Sequence, residues 1–139
     1  MDNGADPFEK DNCGRTSLHY AVYSGKTDLF ALLTEHNIDI IHMKDHAGRY
    51  PLHHAVFMEN NQILMIAKLI DYGAEVNCLD NDRRTPLHHA AEANKPKVCK
   101  ILIEKGAQTN IKDTLKRKTP LELAANDHIR ELIIAYTSP

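Results

Sequence analysis

Residues 84–91 read Arg-Thr-Pro-Leu-His-His-Ala-Ala, and this stretch has the features of a helix start that the chain repeats. The Thr85 hydroxyl can accept a hydrogen bond from the backbone N–H groups that open a helix. Pro86 follows at the first helical position, where its missing N–H costs nothing and its φ angle is already helical. His88 stands at the third helical position and can return a hydrogen bond, as Glu does in a capping box. The stretch therefore predicts a helix that begins at Pro86.

Three more copies of this start occur, as Thr-Ser-Leu-His at 16–19, Tyr-Pro-Leu-His at 50–53 and Thr-Pro-Leu-Glu at 119–122. The copies are 34 or 35 residues apart, which is the spacing of repeat units built from two helices. We therefore predict first helices that begin near Ser17, Pro51, Pro86 and Pro120. In the third unit the first helix is predicted over 86–92 and the second over 96–104, with Asn94 as the cap of the second.

Two further markers recur between these starts. Gly73 and Gly106 each follow a run of periodic apolar residues, which is typical of the end of a helix. An Asp then opens each hairpin, at positions 11, 45, 80 and 113. Each unit is therefore predicted to run in the order hairpin, helix, turn, helix.

Taken together, these patterns resemble the ankyrin repeat family, whose pattern is roughly D-x-x-G-x-T-P-L-H-x-A-A, two helices and G-A-D-x-N. The resemblance covers residues 4 to about 136. It implies an all-α fold, an ankyrin-repeat solenoid of stacked helix-turn-helix units with short β-hairpin connections, whose hairpin tips and first helices line a concave groove. We expect the end of an upstream repeat hairpin over 1–10, and repeats over 11–44, 45–79, 80–112 and 113–139, the last as a C-terminal cap.

Several positions depart from the family pattern. Ser17 replaces Pro and Tyr50 replaces the capping Thr, so the first two helix starts are expected to be weaker. Arg83 stands where the hairpin glycine is expected, the fourth hairpin is one residue longer, and two additional residues fall within 59–63. Residues 3–6 match the end of a repeat. We therefore expect Met1 to be an internal or artificial start, with more repeats or another domain upstream.

Composition excludes several classes of function. The first 79 residues carry 6 Lys or Arg against 11 Asp or Glu and the rest carry 11 against 8, a gradient too mild to indicate nucleic acid. The three cysteines lack C-x-x-C spacing, which favours a reducing compartment over a disulfide framework. No apolar run reaches the ~20 residues of a membrane span, and no signal peptide is evident. We expect a cytoplasmic protein, with the nucleus as an alternative, and no membrane insertion.

The histidines invite a metal or catalytic interpretation. His19, His53 and His88 belong to the capping motif, and His54 and His89 follow at equivalent positions. A pair of histidines supplies two ligands, whereas zinc sites need three or four. No nucleophile lies in a catalytic pattern and no glycine-rich phosphate loop occurs. We therefore predict that the chain is not an enzyme and that it holds no metal or cofactor.

Candidate partner-binding residues are those at the hairpin tips and first-helix ends that the repeat itself does not need. They are Tyr23, Arg49, Phe57, Met58, Arg84, Glu92, Lys116 and Arg117. A large apolar pair such as Phe57 and Met58 beside a groove is typical of a docking site. The alternative is that the longer turn after Met58 folds back and buries both. The basic residues of the hairpin tips either form a solvated face or favour acidic peptides or anionic lipid over duplex nucleic acid. These basic tips are Arg49, Arg83, Arg84, Lys116, Arg117 and Lys118.

Asn77 and Asn110 close the Gly-Ala-x-x-Asn turns. Their first role is predicted to be structural, with the side-chain amide bridging backbone groups of adjacent turns. The resemblance adds a hypothesis, because asparagines at this position in ankyrin proteins can be β-hydroxylated by an oxygenase. Leu69 and Leu102, each eight residues upstream, match the spacing associated with that modification.

The sequence leaves three hypotheses of function. The leading one is a non-catalytic, monomeric protein–protein interaction module that binds a peptide or protein segment in the concave groove. The alternative is a regulatory or targeting ankyrin domain of a larger multidomain enzyme or channel, docking in cis. A third is binding of nucleic acid or phosphoinositide through the basic tips, which predicts a steep dependence on salt.

Overall fold

A computed structural model describes residues 8–59 and 62–137. Within these residues the secondary structure consists of α-helices and one 3-10 helix, without a strand. The all-α prediction is therefore confirmed. The chain divides into two compact units, residues 1–74 and residues 75–139.

The first unit contains two helix pairs and a 3-10 helix. Its elements are α1 (Ser17–Tyr23), α2 (Thr27–His36), the 3-10 helix (Ile38–His42), α3 (Pro51–Ala55) and α4 (Gln62–Asp71). Helix α1 packs against α2 and α3, and α3 also packs against α4. The 3-10 helix follows α2, at the place where the later repeats have Gly73 and Gly106 and the first repeat has no glycine. It packs against α2.

The second unit also contains two helix pairs. Its elements are α5 (Pro86–Glu92), α6 (Pro96–Glu104), α7 (Pro120–Leu123) and α8 (Asp127–Thr137). Helix α5 packs against α6 and α7, and α8 packs against both α6 and α7. The leucines at the second position of α1, α3 and α5 (Leu18, Leu52 and Leu87) have no exposed surface, so they form part of the core.

All four first helices begin at the residues that the repeated motif predicts. The Thr85 hydroxyl accepts from the His88 backbone N–H at 3.3 Å, and His88 Nδ1 accepts from the Thr85 N–H at 3.0 Å. Tyr50 makes no side-chain cap hydrogen bond, yet its N–H still donates to the ring of His53 at 3.1 Å. The histidine half of the motif therefore compensates in part for the missing threonine.

The connections that were expected as β-hairpins are tight turns, too short to form strands in the described residues. In the third repeat the Asp80 N–H donates to the Arg84 carbonyl at 3.0 Å. Arg83, at the glycine position, adopts a left-handed φ of 56°, which a residue with a side chain adopts at some cost. In the fourth repeat the Asp113 N–H reaches the Lys118 carbonyl, which agrees with the longer hairpin.

One helix cap was predicted wrongly. Helix α6 begins at Pro96 after Lys95, whose side chain makes no cap hydrogen bond. Asn94 has a φ of 59° and belongs to the turn that ends α5, where its Oδ1 accepts from Asn126 Nδ2. Residues 3–6 lie outside the described part of the chain, as do Asn60 and Asn61 of the longer stretch 59–63.

Candidate functional site

A cleft of about 730 Å³ opens on the first unit, along the first helices α1 and α3 and the turns that precede them. Three aromatic side chains line it, namely Tyr20, Tyr23 and Phe57. Tyr20 is 57% exposed and Tyr23 is 60% exposed, while Phe57 is half-buried. The cleft therefore gathers aromatic side chains at one exposed place, and such apolar patches are typical of binding sites.

Three of the predicted partner-binding residues meet in this cleft. Tyr23 and Phe57 lie on its lining, and Arg49 lies beside them with its guanidinium 5.5 Å from the centre of the Phe57 ring. This distance is within the range of a cation–π interaction. A smaller depression, of about 310 Å³, shares Tyr23 and Phe57 and extends toward Glu59.

The charged side chains of the cleft differ in how they are neutralised. Arg15 Nε donates to Asp11 Oδ2 at 3.0 Å, so these two charges form a pair. The backbone N–H of Arg15 is the main reason that the pKa of Asp11 is lowered. No carboxylate among the described residues pairs with the Arg49 guanidinium. Arg49 is therefore the cation that the cleft offers to an incoming group.

Two histidines border the cleft, and both are held by hydrogen bonds. His19 Nδ1 accepts from the Thr16 N–H at 3.1 Å, and its Nε2 donates to the Arg49 carbonyl at 3.0 Å. Burial lowers the pKa of His19 to about 4, so the ring is neutral near pH 7. His54 Nε2 donates to Asp45 Oδ2 at 2.9 Å, and burial lowers the pKa of His54 although Asp45 opposes the shift.

The same groups form a cluster with the dimensions of a metal site. The nearest ligand atoms of His19, Asp45 and His54 all lie within 4.8 Å of one another. Both ring nitrogens of His19 are already engaged, however, one as an acceptor from Thr16 and one as a donor to Arg49. A neutral imidazole in that arrangement has no lone pair left for a metal ion. The geometry therefore favours the structural interpretation of these histidines.

The pairing of Asp with the second histidine was missed from the sequence. His89 Nε2 donates to Asp80 Oδ2 at 2.8 Å, as His54 does to Asp45. In both repeats the histidine follows the aspartate by nine residues, so the recurring spacing could have revealed the contact. This hydrogen bond ties the tip of each turn to the first helix that follows it.

The prediction that Met58 lies on the binding surface is wrong. Met58 is only 2% exposed and belongs to the core of the first unit. Helix α3 ends at Ala55, and Gln62 Nε2 donates to the carbonyls of Ala55 and Val56, which ties the start of α4 to the end of α3. Met58 is therefore buried, whereas the neighbouring Phe57 lines the cleft.

The prediction that Arg84 forms part of an exposed basic tip is also wrong. Arg84 is 6% exposed, and its Nε donates to Asp113 Oδ2 at 2.9 Å. A second nitrogen donates to Glu92 Oε1 at 3.1 Å, and Lys116 Nζ pairs with the other oxygen of Glu92 at 3.3 Å. These four side chains form a charge network within the second unit. Arg117, at the tip of the next turn, remains exposed.

Hydrogen bonding shifts the pKa values in this network. Burial alone would raise the pKa of Asp113, but the backbone N–H of Lys118 and the Arg84 guanidinium outweigh it and lower the pKa. Burial would likewise raise the pKa of Glu92, and the Arg84 and Lys116 side chains lower it. Both carboxylates are therefore ionised at neutral pH, as the ion pairs require.

Asn77 has the structural role that the sequence predicts. Its Nδ2 donates to the Gly106 carbonyl at 3.4 Å, and its Oδ1 accepts from the Gln108 N–H at 2.8 Å. The amide thus bridges two adjacent turns of the second unit. Asn110 is exposed, and its side chain has no such bridge to the described residues.

Comparison with known proteins agrees with this architecture. The family model for ankyrin repeats (3 copies) matches residues 1–78 and 58–137. The chain therefore belongs to the ankyrin repeat family. In the described residues we find no helix with both the length and the apolar character that a membrane crossing requires.

Relatives include both short and very long proteins. An ankyrin repeat protein of fowlpox virus (strain NVSL) is 33% identical over 100 residues, which are 72% of this chain and 67% of that protein. The human neurogenic locus notch homolog protein 2 is 33% identical over 115 residues, 81% of this chain but 4% of that protein. Mouse inversin is 36% identical over 123 residues, 88% of this chain and 11% of that protein.

Proposed function

We propose that this chain is a non-catalytic protein-interaction module that binds a peptide segment of a protein partner in the cleft of its first unit. The observation that carries the proposal is the set of three aromatic side chains, Tyr20 and Tyr23, which are exposed, and Phe57, which is half-buried, gathered around one concavity. Aromatic residues supply much of the energy at protein interfaces, since each covers a large area with few rotatable bonds.

The polar groups of the cleft support binding in preference to catalysis. His19 is held neutral between Thr16 and Arg49, and His54 is held against Asp45. A general base needs a substrate proton or a nucleophile within hydrogen-bond reach. The nitrogen atoms of His19 are already occupied by backbone groups. The aromatic surface and the guanidinium of Arg49 are available to a partner, beside the Arg15–Asp11 ion pair.

Selection from a random-peptide display library on the wild-type protein tests this proposal. We expect enriched peptides to bind Phe57→Ala at least tenfold more weakly than wild type, which corresponds to about 1.4 kcal/mol. Tyr72→Ala is the matched control, because Tyr72 is a 44% exposed aromatic residue that lies outside the cleft lining of the same unit. The library would contradict the proposal if it yielded no binder, or if both variants lost the same affinity.

The alternative that the sequence raised is a regulatory or targeting domain that docks in cis within a larger multidomain enzyme or channel. It is supported by the small share of Notch 2 and inversin that this chain matches, 4% and 11% respectively. Cross-linking mass spectrometry on the parent protein from its native source discriminates the two. Links from residues 15–57 to another segment of the same chain favour docking in cis, and links to a different protein favour the leading proposal.

We also propose that the chain is monomeric and cytoplasmic and that nucleic acid is not its partner. Two of the basic side chains that would bind phosphates are already neutralised, since Arg84 is buried against Asp113 and Lys116 pairs with Glu92. Light scattering after size exclusion tests the monomer, and fluorescence imaging of the tagged protein tests the location. Retention on a duplex nucleic acid column that falls steeply with salt would count against this part of the proposal.

A further inference from the structure

The second and third repeats each have an arginine at the same position, but the side chain that contacts this arginine differs between the two repeats. Arg49 and Arg84 are 35 residues apart, and Phe57 and Glu92 are also 35 residues apart, so the two pairs occupy the same places in successive repeats. In the third repeat the Glu92 carboxylate accepts hydrogen bonds from both terminal nitrogens of Arg84, at 3.1 and 3.5 Å. In the second repeat an aromatic ring stands where that carboxylate would be, and the Arg49 guanidinium lies over it.

This substitution leaves one cation of the cleft without an anionic partner. Arg15, the equivalent residue of the first repeat, is neutralised by Asp11 at 3.0 Å. Arg49 contacts the Phe57 ring, and no carboxylate of the described residues pairs with it. A guanidinium that stacks on a ring keeps its N–H edge available, and that edge matches the two oxygens of a carboxylate.

We propose, resting on the function proposed above, that the occupant of the cleft is an acidic–apolar peptide segment. Its Asp or Glu side chain pairs with Arg49 in the way that Glu92 pairs with Arg84. An apolar side chain one or two residues away lies against Tyr20, Tyr23 and Phe57. The partner thus supplies the carboxylate that the chain itself supplies one repeat later.

The charges of the cleft favour a carboxylate over a phosphorylated side chain. A phosphate group carries up to two negative charges and is recognised by clusters of arginine. The cleft offers one arginine without a carboxylate partner, and Asp11 lies on the same lining. A single negative charge matches Arg49 without strong repulsion from Asp11.

A double-mutant cycle between the peptide and Arg49 tests the inference. The probe is the tightest peptide recovered from the display library, together with its variant in which the acidic residue is changed to the amide. We expect the amide variant to bind the wild-type protein about tenfold more weakly than the acidic peptide does. Arg49→Gln should bind the two peptides about equally well. Arg130→Gln serves as the control, because Arg130 is an exposed arginine outside the cleft. It should reproduce the wild-type difference.

A second pair of variants acts on the same contact from the other side. Phe57→Glu recreates the internal carboxylate of the third repeat, whereas Phe57→Gln removes the ring without adding charge. We expect Phe57→Glu to lose several-fold more affinity than Phe57→Gln for the acidic peptide and to show no such excess for its amide variant. Urea melts confirm that the variants compared are folded.

The outcomes separate this inference from the proposed function. If no peptide binds in a Phe57-dependent way, the proposed function fails and the inference fails with it. If peptides bind through Phe57 but the acid-to-amide change costs the same in wild type and Arg49→Gln, only the inference is overturned. It is also overturned if a phosphoserine in place of the acidic residue binds more tightly, since the partner would then be a phosphopeptide.

Discussion

Replacing Arg84 by alanine is predicted to lower the free energy of unfolding by about 3 kcal/mol, because it leaves a buried carboxylate without its cation. The Asp113 side chain has no exposed surface, and Arg84 Nε lies 2.9 Å from its Oδ2. Breaking a buried ion pair by removing one partner costs about 3–5 kcal/mol. We take the lower end, because Asp113 keeps hydrogen bonds from the N–H groups of Lys116 and Lys118.

The second ion pair of Arg84 adds little to this figure. The Glu92 side chain is 40% exposed, so its pairing with Arg84 is screened by solvent and contributes about 0.2–1 kcal/mol. The apolar stem of Arg84 is also lost, which adds a packing cost to the electrostatic one. The estimate of about 3 kcal/mol therefore rests mainly on Asp113.

Urea unfolding followed by circular dichroism measures the change. The matched control is Arg83→Ala, in which the adjacent and exposed arginine is removed, and we expect a change within about 0.5 kcal/mol. In an Asp113→Asn background Arg84→Ala should cost less than in wild type, because no buried charge is stranded. A loss below about 1 kcal/mol, or an equal loss in both backgrounds, would refute the account of the network.

Three other predictions concern the core, the buried histidine and the asparagines. Leu87→Ala should cost about 2–5 kcal/mol in urea melts, because Leu87 is fully buried in α5. The folded state holds His19 neutral with a pKa of about 4, whereas the unfolded state protonates it below its ordinary value of 6.5. The free energy of unfolding should therefore fall as the pH falls through this window, by about 1.5 kcal/mol from His19 alone between pH 6.5 and pH 5. Mass spectrometry of native protein should find a one-oxygen mass increase on Asn110 before Asn77, whose amide is engaged by Gly106 and Gln108.

Each of these predictions has its own contrary result. A cost below about 1 kcal/mol for Leu87→Ala would show that the residue is not part of a packed core. His19→Gln should flatten the pH dependence between pH 6.5 and pH 5, and an unchanged slope would assign it to other groups. Unmodified Asn77 and Asn110 in native protein would count against hydroxylation.

The helix starts were predictable because their causes are local. The cap residue, the first helical residue and the third-position His or Glu all lie within four residues, and enough of this motif is present at each start to predict it. The role of Asn77 is not local, because its amide bonds to Gly106 and Gln108 of the next turn, and it was predicted from the recurrence of the turn along the chain. Asn94 was misassigned because an asparagine before a helix is a good cap in sequence, while the backbone uses it in a left-handed turn.

The candidate site was only partly predictable, since burial depends on residues far apart in the chain. Arg84 is buried by Glu92, eight residues later, and by Asp113, 29 residues later. Phe57 and Met58 are adjacent and similarly apolar, yet Phe57 lines the cleft and Met58 lies in the core. Repeat alignment placed all these side chains at the right positions, but it did not determine which of them solvent reaches.

The most direct test of the binding cleft is an NMR titration of the labelled protein with the selected peptide. We expect changes in amide chemical shift to concentrate in residues 15–24 and 49–58, which contain the cleft aromatics and Arg49. Changes centred instead on the exposed apolar side chains of α2 and α4, such as Leu32 and Leu64, would place the binding surface elsewhere and contradict the proposal.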